Sequence, residues 1–253
     1  MTKSKNPDTV LSVGNPTENA RRQALQAQQR TRLRSMLQND HIEAATIETL
    51  LAEGRLNSVA AGTPVSWAGQ PMSDLLLVVQ GALKVSRVGV DGRRHVTSFP
   101  GPGQWFGLIP IIDGEGAVHD AWAHGDALLL RVPRAVFLRC LDTDRLLNRT
   151  MVLRLCQRSR LIYDTLADDG LLPLRARTAR ALDRIAIGFP PPLDGSVQMR
   201  IAVSQEEIAD MLGVTRQSAN QELKQLERDG LITLGRGMVE LLDRDRLRAV
   251  GKP

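Results

Sequence analysis

The chain has 253 residues, 42% of them apolar, and a formal net charge of +5. That length suits two ordinary domains better than one large core, and no run approaches the roughly 18 consecutive apolar residues that span a bilayer. Mild positive charge tilts toward a polyanionic partner, because lysine and arginine release counterions from phosphate, but it does not carry an assignment alone.

Residues 1–35 are polar and rich in Gln and Arg. They read as a solvated, flexible tail running into a short helix, Ala20 to Leu37, with no core to bury. The lysines of the first residues have no apolar stretch behind them, so no secretory signal and no membrane are expected, and the expected location is cytoplasmic. Ile42, Ile47, Leu50 and Leu51 recur at helical spacing before Gly54, predicting a short amphipathic helix. From Leu56 to Val132 the texture changes to short apolar runs: Leu75–Val79, Ala82–Val85, Val96–Phe99 and Ala127–Val132. Turn signals divide them, among them Gly69-Gln70-Pro71, Gln80-Gly81, Asp91-Gly92 and Pro100-Gly101-Pro102-Gly103. Strands at about ten-residue spacing with such punctuation predict an antiparallel sandwich, roll or barrel, with a tight hairpin turn at Asp91-Gly92.

Pro133 opens a helix, since its fixed φ suits a first turn. A long helix follows, from Asp144 to about Leu166, with Met151, Leu155, Ile162 and Leu166 on one narrow stripe, the pattern of a two-stranded dimer seam. Asp168-Asp169-Gly170 and Pro173 are expected to end it and to separate the halves. Another helix, Leu174 to Ile187, stops at Gly188 and the loop Pro190-Pro191-Pro192.

The most informative stretch is Ile201 to Leu242. Ser204 and Glu207 form a capping box before a helix that buries Ile208, Ala209 and Leu212 and ends at Gly213. Thr215 caps a second helix, Arg216 to Asp229, whose inner face is Ala219, Leu223 and Leu226. Leu231–Leu234, Gly235-Arg236-Gly237 and Met238–Leu242 then read as a hairpin. Two capped helices, a glycine turn and a hairpin make a winged helix-turn-helix, which presents the start of its second helix to the major groove of duplex DNA. Arg216, Gln217, Asn220 and Gln221 are the expected base readers. Ser204, Thr215, Ser218, Lys224 and Arg236 are the expected further contacts, chiefly to phosphates. Residues 204–230 carry more acids than bases, so positive charge is expected from the helix end, the wing and residues Arg175 to Arg184.

The string Ser204–Arg216 (SQEEIADMLGVTR), the string Leu223–Ile232 (LKQLERDGLI) and the wing Gly235-Arg236-Gly237 resemble the helix-turn-helix of the Crp/Fnr family of bacterial regulators. The order Gly69-Gln70, Leu77-Val78-Val79-Gln80-Gly81, Asp91-Gly92 and Gly103-Gln104-Trp105-Phe106-Gly107 resembles that family's cyclic-nucleotide-binding β-roll. The resemblance covers about residues 45–250. It implies an α+β chain: a jelly-roll-like β-roll sensor at residues 36–143, a dimerisation helix at 144–168 and a winged helix-turn-helix at 169–253. A homodimer, a palindromic site and contact with RNA polymerase are implied with it.

The pocket departs from the cyclic-AMP-binding members. Leu108 stands where they have the glutamate that holds the ribose, and His119-Asp120 stands where they have the Arg-Ser pair that neutralises the phosphate. Ile162-Tyr163 replaces the polar pair facing adenine. A leucine cannot hold a hydroxyl and an aspartate repels a phosphate, so cyclic AMP is disfavoured. Trp105, Phe106, Leu108, His119, Asp120, Ile162 and Tyr163 form the expected effector pocket. Its ligand stays open between another small molecule (with Trp122 also near), haem on His119 or His124, and none; no cofactor is named. Gln217 and Gln221 also replace the Glu and Arg of many members, while Arg216 is retained.

Cys140 and Cys156 both read as small buried apolar residues, with a redox thiol the sharper alternative. The two cysteines cannot build an iron–sulfur site. The four histidines have no metal-ligand spacing and no nucleophile–base pair or phosphate loop is visible, so no metal and no enzyme are expected. The alternative to a DNA-binding regulator is a β-roll regulatory subunit whose winged helix docks on a protein partner.

Overall fold

The computed structural model describes residues 16–189 and 199–252, with side chains from residue 27 onward. Residues 1–15 of the tail and the Pro190-Pro191-Pro192 loop lie outside the described residues.

The first helix is α1 (Pro16–Asn39), and it corrects the expectation of a helix without a core. Leu33 and Leu37, one turn apart on the same face, are fully buried. They join the cluster of Ile47, Leu50, Trp105, Phe137 and Met151. Two apolar residues among polar neighbours suffice here because both sit in the last two turns. Asp40, just beyond the helix, then ties it down: its carboxylate accepts from the Trp105 indole N–H at 3.0 Å and pairs with Arg154, and its carbonyl accepts from Thr150 Oγ1 at 2.9 Å.

Helix α2 (Ala44–Glu53) leads into the sensor sheet, formed by β1 (Arg55–Val59), β2 (Pro64–Ser66), β3 (Asp74–Val88), β4 (Arg94–Ser98), β5 (Trp105–Phe106) and β6 (Asp120–Pro133). All pairings are antiparallel, in the order β1-β6-β3-β4, with β2 on β6 and β5 on β3. The two long strands, β3 and β6, are the spine of the roll. Leu75–Val79 and Ala82–Val85 are therefore one strand, not two. Gln80-Gly81 is a bulge, marked by register shifts around Gln80. Gly81 has φ +75°, and a Cβ there would stand 2.4 Å from the Asp126 carbonyl oxygen, so only glycine fits. The β3–β4 connection is a hairpin, but its loop runs from Gly89 to Arg93, closed by Gly89 N–H donating to Arg93 O at 2.8 Å. Gly92 supplies the only positive φ in that loop, so the two-residue primed turn expected at Asp91-Gly92 is not formed.

Strand alternation divides the apolar residues between two cores. Leu76, Val78, Leu83, Val85, Phe106, Ala121 and Leu129 fill the roll. Leu75, Leu77, Trp105, Leu130 and Val132 face the helices, including α4 (Arg134–Thr143). Helix α3 (Leu108–Asp113) follows β5.

Helix α5 (Arg145–Leu171) is capped by Asp144, whose carboxylate accepts from Leu147 N–H at 2.9 Å and from Glu43 N–H at 3.0 Å. It runs through Asp168-Asp169-Gly170 and stops just before Pro173, so those three residues do not end it. The C-terminal half is α6 (Leu174–Ala186), β7 (Met199–Ile201), α7 (Gln205–Leu212), α8 (Arg216–Arg228), β8 (Ile232–Gly235), β9 (Met238–Leu241) and α9 (Arg244–Val250). Its sheet has the order β7-β9-β8, a three-stranded wing where a hairpin was expected. Leu182, Ile185, Ile201, Ile208, Leu223, Leu226, Val239 and Leu247 form its core.

Candidate functional site

The capping box of α7 is complete: Ser204 Oγ accepts from Glu207 N–H, and Glu207 Oε2 accepts from Ser204 N–H at 3.0 Å. Ser204 Oγ also donates to Glu207 Oε2 at 2.9 Å. That side chain is half-buried and occupied as the cap of α7. Gly213, left-handed at φ 67°, turns the chain into α8. Thr215 Oγ1 accepts from Ser218 N–H at 3.1 Å and lies 2.9 Å from Ser218 Oγ, fixing the first turn of α8.

Burial of Ala219, Leu223 and Leu226 orients α8. Arg216, Gln217, Gln221 and Lys224 are consequently exposed, as is Arg236 at the tip of the wing. Asn220 is half-buried and its Oδ1 has no hydrogen-bond partner among the described residues. The wing is held to α8 by Glu227, whose carboxylate accepts from Leu234 N–H at 2.8 Å.

The charge balance is corrected by pairing. Arg175 pairs with Asp229, Arg177 with Asp169, and Arg180 and Arg184 both with Asp168. These arginines brace α5, α6 and α8 and are not a positive face for DNA. Three of the acids are engaged as well: Glu207 faces the roll, Glu227 the wing and Asp229 Arg175. Arg216, Lys224, Arg228 and Arg236 take part in no ion pair among the described residues, which leaves the outer face of α8 and the wing net positive.

A contact that the sequence did not announce joins the two halves. Lys84 Nζ on β3 lies 3.0 Å from Glu207 Oε1 on α7, and His124 Nδ1 on β6 lies 3.6 Å from the same oxygen. His124 Nε2 meets the Ala202 carbonyl, and the rings of Phe99, His124 and Phe189 pack within 5.0–6.1 Å of one another. Val96 and Phe99 of the sensor belong to the C-terminal core. Burial pushes the Glu207 carboxyl up, but the Ser204 N–H, Lys84 and His124 outweigh it and hold the group below the usual glutamate range.

The expected effector pocket does not assemble as one site. Trp105 and Leu108 pack into the core on the helix side of the sheet, and Phe106 points into the roll. Asp120 is engaged, accepting from Ala68 N–H at 2.8 Å. His119 is half-buried at the start of β6, while Ile162 and Tyr163 are exposed on α5. The dimer stripe also splits. Met151 is 1% exposed, locked in the core of its own chain, whereas Ile162 and Leu166 are 59% and 72% exposed and Leu155 lies between. Helical periodicity cannot tell a residue facing its own core from one facing a second copy. Cys140 is buried, with burial raising its thiol pKa, but Cys156 is exposed on the outer side of α5, which corrects the expectation that both are buried.

An antiparallel roll joined by one long helix to a winged helix-turn-helix with an exposed polar recognition helix is the architecture of a DNA-binding transcription regulator. The Crp-like helix-turn-helix domain model matches residues 176–250, and the cyclic nucleotide-binding domain model matches residues 56–144. The chain is 32% identical over 208 residues to the HTH-type transcriptional regulator Cmr of Mycobacterium tuberculosis, covering 81% of this chain and 78% of that protein. It is 27% identical over 207 residues to the CRP-like cAMP-activated global transcriptional regulator of the same species, covering 81% and 92%. The solved structure of FixK2 from Bradyrhizobium japonicum has the same fold, with a TM-score of 0.68 at 23% identity over 79% of this chain and 98% of that one. The chain belongs to the Crp/Fnr family of transcription regulators.

Proposed function

We propose that this regulator works as a homodimer on a palindromic duplex site, with α8 of each subunit in the major groove and Arg216, Gln217 and Gln221 reading bases. The observation that carries this is the exposure of those side chains on a helix whose opposite face is buried. Thr215, Ser218, Lys224 and Arg236 hold the phosphates, and Asn220 reaches a base or a phosphate on binding. Exposed Val152, Leu153, Ile162, Tyr163 and Leu166 on α5 support the dimer, because a solvated helix rarely carries so much apolar surface. The two recognition helices then stand about 34 Å apart, one turn of DNA. An effector in the sensor sets the activity, and RNA polymerase is the downstream partner. No described helix is long and apolar enough to cross a membrane.

Selection from random duplexes, followed by affinity measurements at several salt concentrations, tests the reading. A palindromic consensus is expected. Arg216→Ala should cost about 1–3 kcal/mol, relaxing specificity at one base pair of each half-site. With the three unpaired cations of each subunit other than Arg216 on phosphate, the slope of log K against log salt approaches about −5. Sequence-indifferent binding with a shallow slope would remove the proposal in favour of a winged helix that docks on protein.

A further inference from the structure

Only Leu172 and Pro173 separate α5 from α6, and the whole helix-turn-helix lies beyond them. The ion pairs that cross this joint run from Asp168 and Asp169, near the end of α5, to arginines of α6. The Asp168 pairs stop short of the recognition helix: Arg184 returns to Thr165 on α5, and Arg180 goes on to the Gly251 carbonyl beyond α9. Arg177 goes further. Its Nη2 lies 2.5 Å from Asp169 Oδ1 and donates to the Leu212 carbonyl at 2.9 Å. Leu212 is the last residue of α7, so its carbonyl has no partner within the helix, and a cation suits that end of the dipole. Three residues later Thr215 caps α8. One guanidinium thus touches both the long helix and the turn that aims the recognition helix. Arg175 holds the other end of α8 through Asp229, its C-cap. The recognition helix is therefore gripped from α6 at both ends, and only the Arg177 grip continues to α5.

The Arg177 contact is a poor device for stability. Its side chain is 18% exposed and its Nε is buried without a hydrogen-bond partner, whereas the Asp169 side chain is 54% exposed. A desolvated guanidinium facing a carboxylate that water still screens returns little net free energy. What it fixes is geometry, because the planar fork accepts its oxygens in one orientation. We propose that Arg177 and Asp169 are positioning residues for DNA recognition: they hold α8 at a set angle to α5 and thereby fix the half-site spacing that the homodimer accepts. The proposal rests on the palindromic dimer, in which α5 lies along the two-fold axis and the angle of α8 to α5 is its angle to that axis. Adding one base pair between half-sites shifts one of them by about 3.4 Å and turns it by about 35°. A loose joint follows such a displacement and a gripped one rejects it. Neither residue contacts a base in this reading.

The test measures affinities of the full-length protein for the selected palindrome at its preferred spacing, for the same palindrome with one base pair added or removed, and for a single half-site. Asp169→Asn, Arg177→Met and Arg177→Lys are measured beside the native protein, with their melting temperatures. Asp169→Asn alters an exposed residue and leaves Arg177 on Leu212, so folding is retained. Its preference for the best spacing over the neighbouring ones should fall by about threefold or more, within the roughly tenfold that one charge-assisted hydrogen bond can hold. Arg177→Met should lose at least as much, and Arg177→Lys, which keeps a cation beside Asp169, should retain most of the preference. The lost negative charge of Asp169→Asn raises every affinity alike and cancels in the ratio. A role in folding alone would lower the melting temperature and all affinities together and leave the ratio untouched. Asp169→Asn decides the matter even if Arg177→Met does not fold. A native spacing preference that survives unchanged in Asp169→Asn overturns this proposal and leaves the dimer reading standing. A native protein that recognises the half-site but prefers no spacing overturns both.

Discussion

Asp168 is the carboxylate on which the joint between the two halves depends, and replacing it with alanine should be costly. Its side chain is 9% exposed and takes the guanidinium groups of Arg180 and Arg184, one on each oxygen. Those arginines are themselves only 28% and 27% exposed. Removing one partner of a buried pair typically costs about 3–5 kcal/mol, because the charge left behind is neither hydrated nor paired. Here each arginine keeps a second acceptor, Arg184 on Thr165 Oγ1 and Arg180 on the Gly251 carbonyl, so the lower end, about 3 kcal/mol, applies. For a chain of this size that corresponds to a fall in melting temperature of roughly 6–12 °C. Calorimetry on Asp168→Ala measures it, and adding Arg180→Met should restore part of the loss by removing one orphaned charge. A change within about 0.5 kcal/mol, the range of an ordinary surface substitution, would refute the argument that this carboxylate holds α5 to α6.

Other perturbations reach other parts of the molecule. Leu33→Ala should destabilise the sensor by about 2–4 kcal/mol in denaturant titration, since it leaves a cavity in a fully buried site; an unchanged midpoint would restore the picture of a merely solvated tail. Gly81→Ala should cost about 3 kcal/mol through its positive φ and the backbone carbonyl in the way, and soluble expression with native stability would contradict the bulge. Glu207 titrates lower in the folded chain than free, so its contribution is fully present above about pH 4.5 and is lost as pH falls through the lower folded value. Melting temperature followed from pH 6 down to pH 3.5 should therefore fall less steeply in Glu207→Gln than in the native protein, and parallel curves would show that Glu207 does not link the halves.

The winged helix-turn-helix was legible because its determinants are local. Ser204 with Glu207, Gly213 and Thr215 each act within four residues, and each does in the structure what its spacing implies. The short elements β7 and α9 were missed, being too brief for any period to show. Gln80-Gly81 misled because a turn and a bulge make the same demand on φ; only the partner strand decides between them. Trp105 and Phe106 are neighbours on opposite faces of a strand, so a motif that names both as pocket residues cannot be right for both. Arg175–Arg184 looked like free charge because their acidic partners on α5 and α8 are a matter of tertiary packing. Lys84 and Glu207 are separated by 123 positions, a pairing that no local pattern encodes.

Helix α5 is pinned at both ends by a carboxylate: Asp144 against the sensor and Asp168 against α6. Its 27 residues make a rod about 40 Å long. A rod anchored at its ends converts rotation into displacement, and tilting this one by about 5° at the sensor carries its far end through about 3.5 Å. That travel exceeds the slack of a hydrogen bond. Length alone thus gears a small tilt of α5 at the roll into a larger displacement where the helix meets α6.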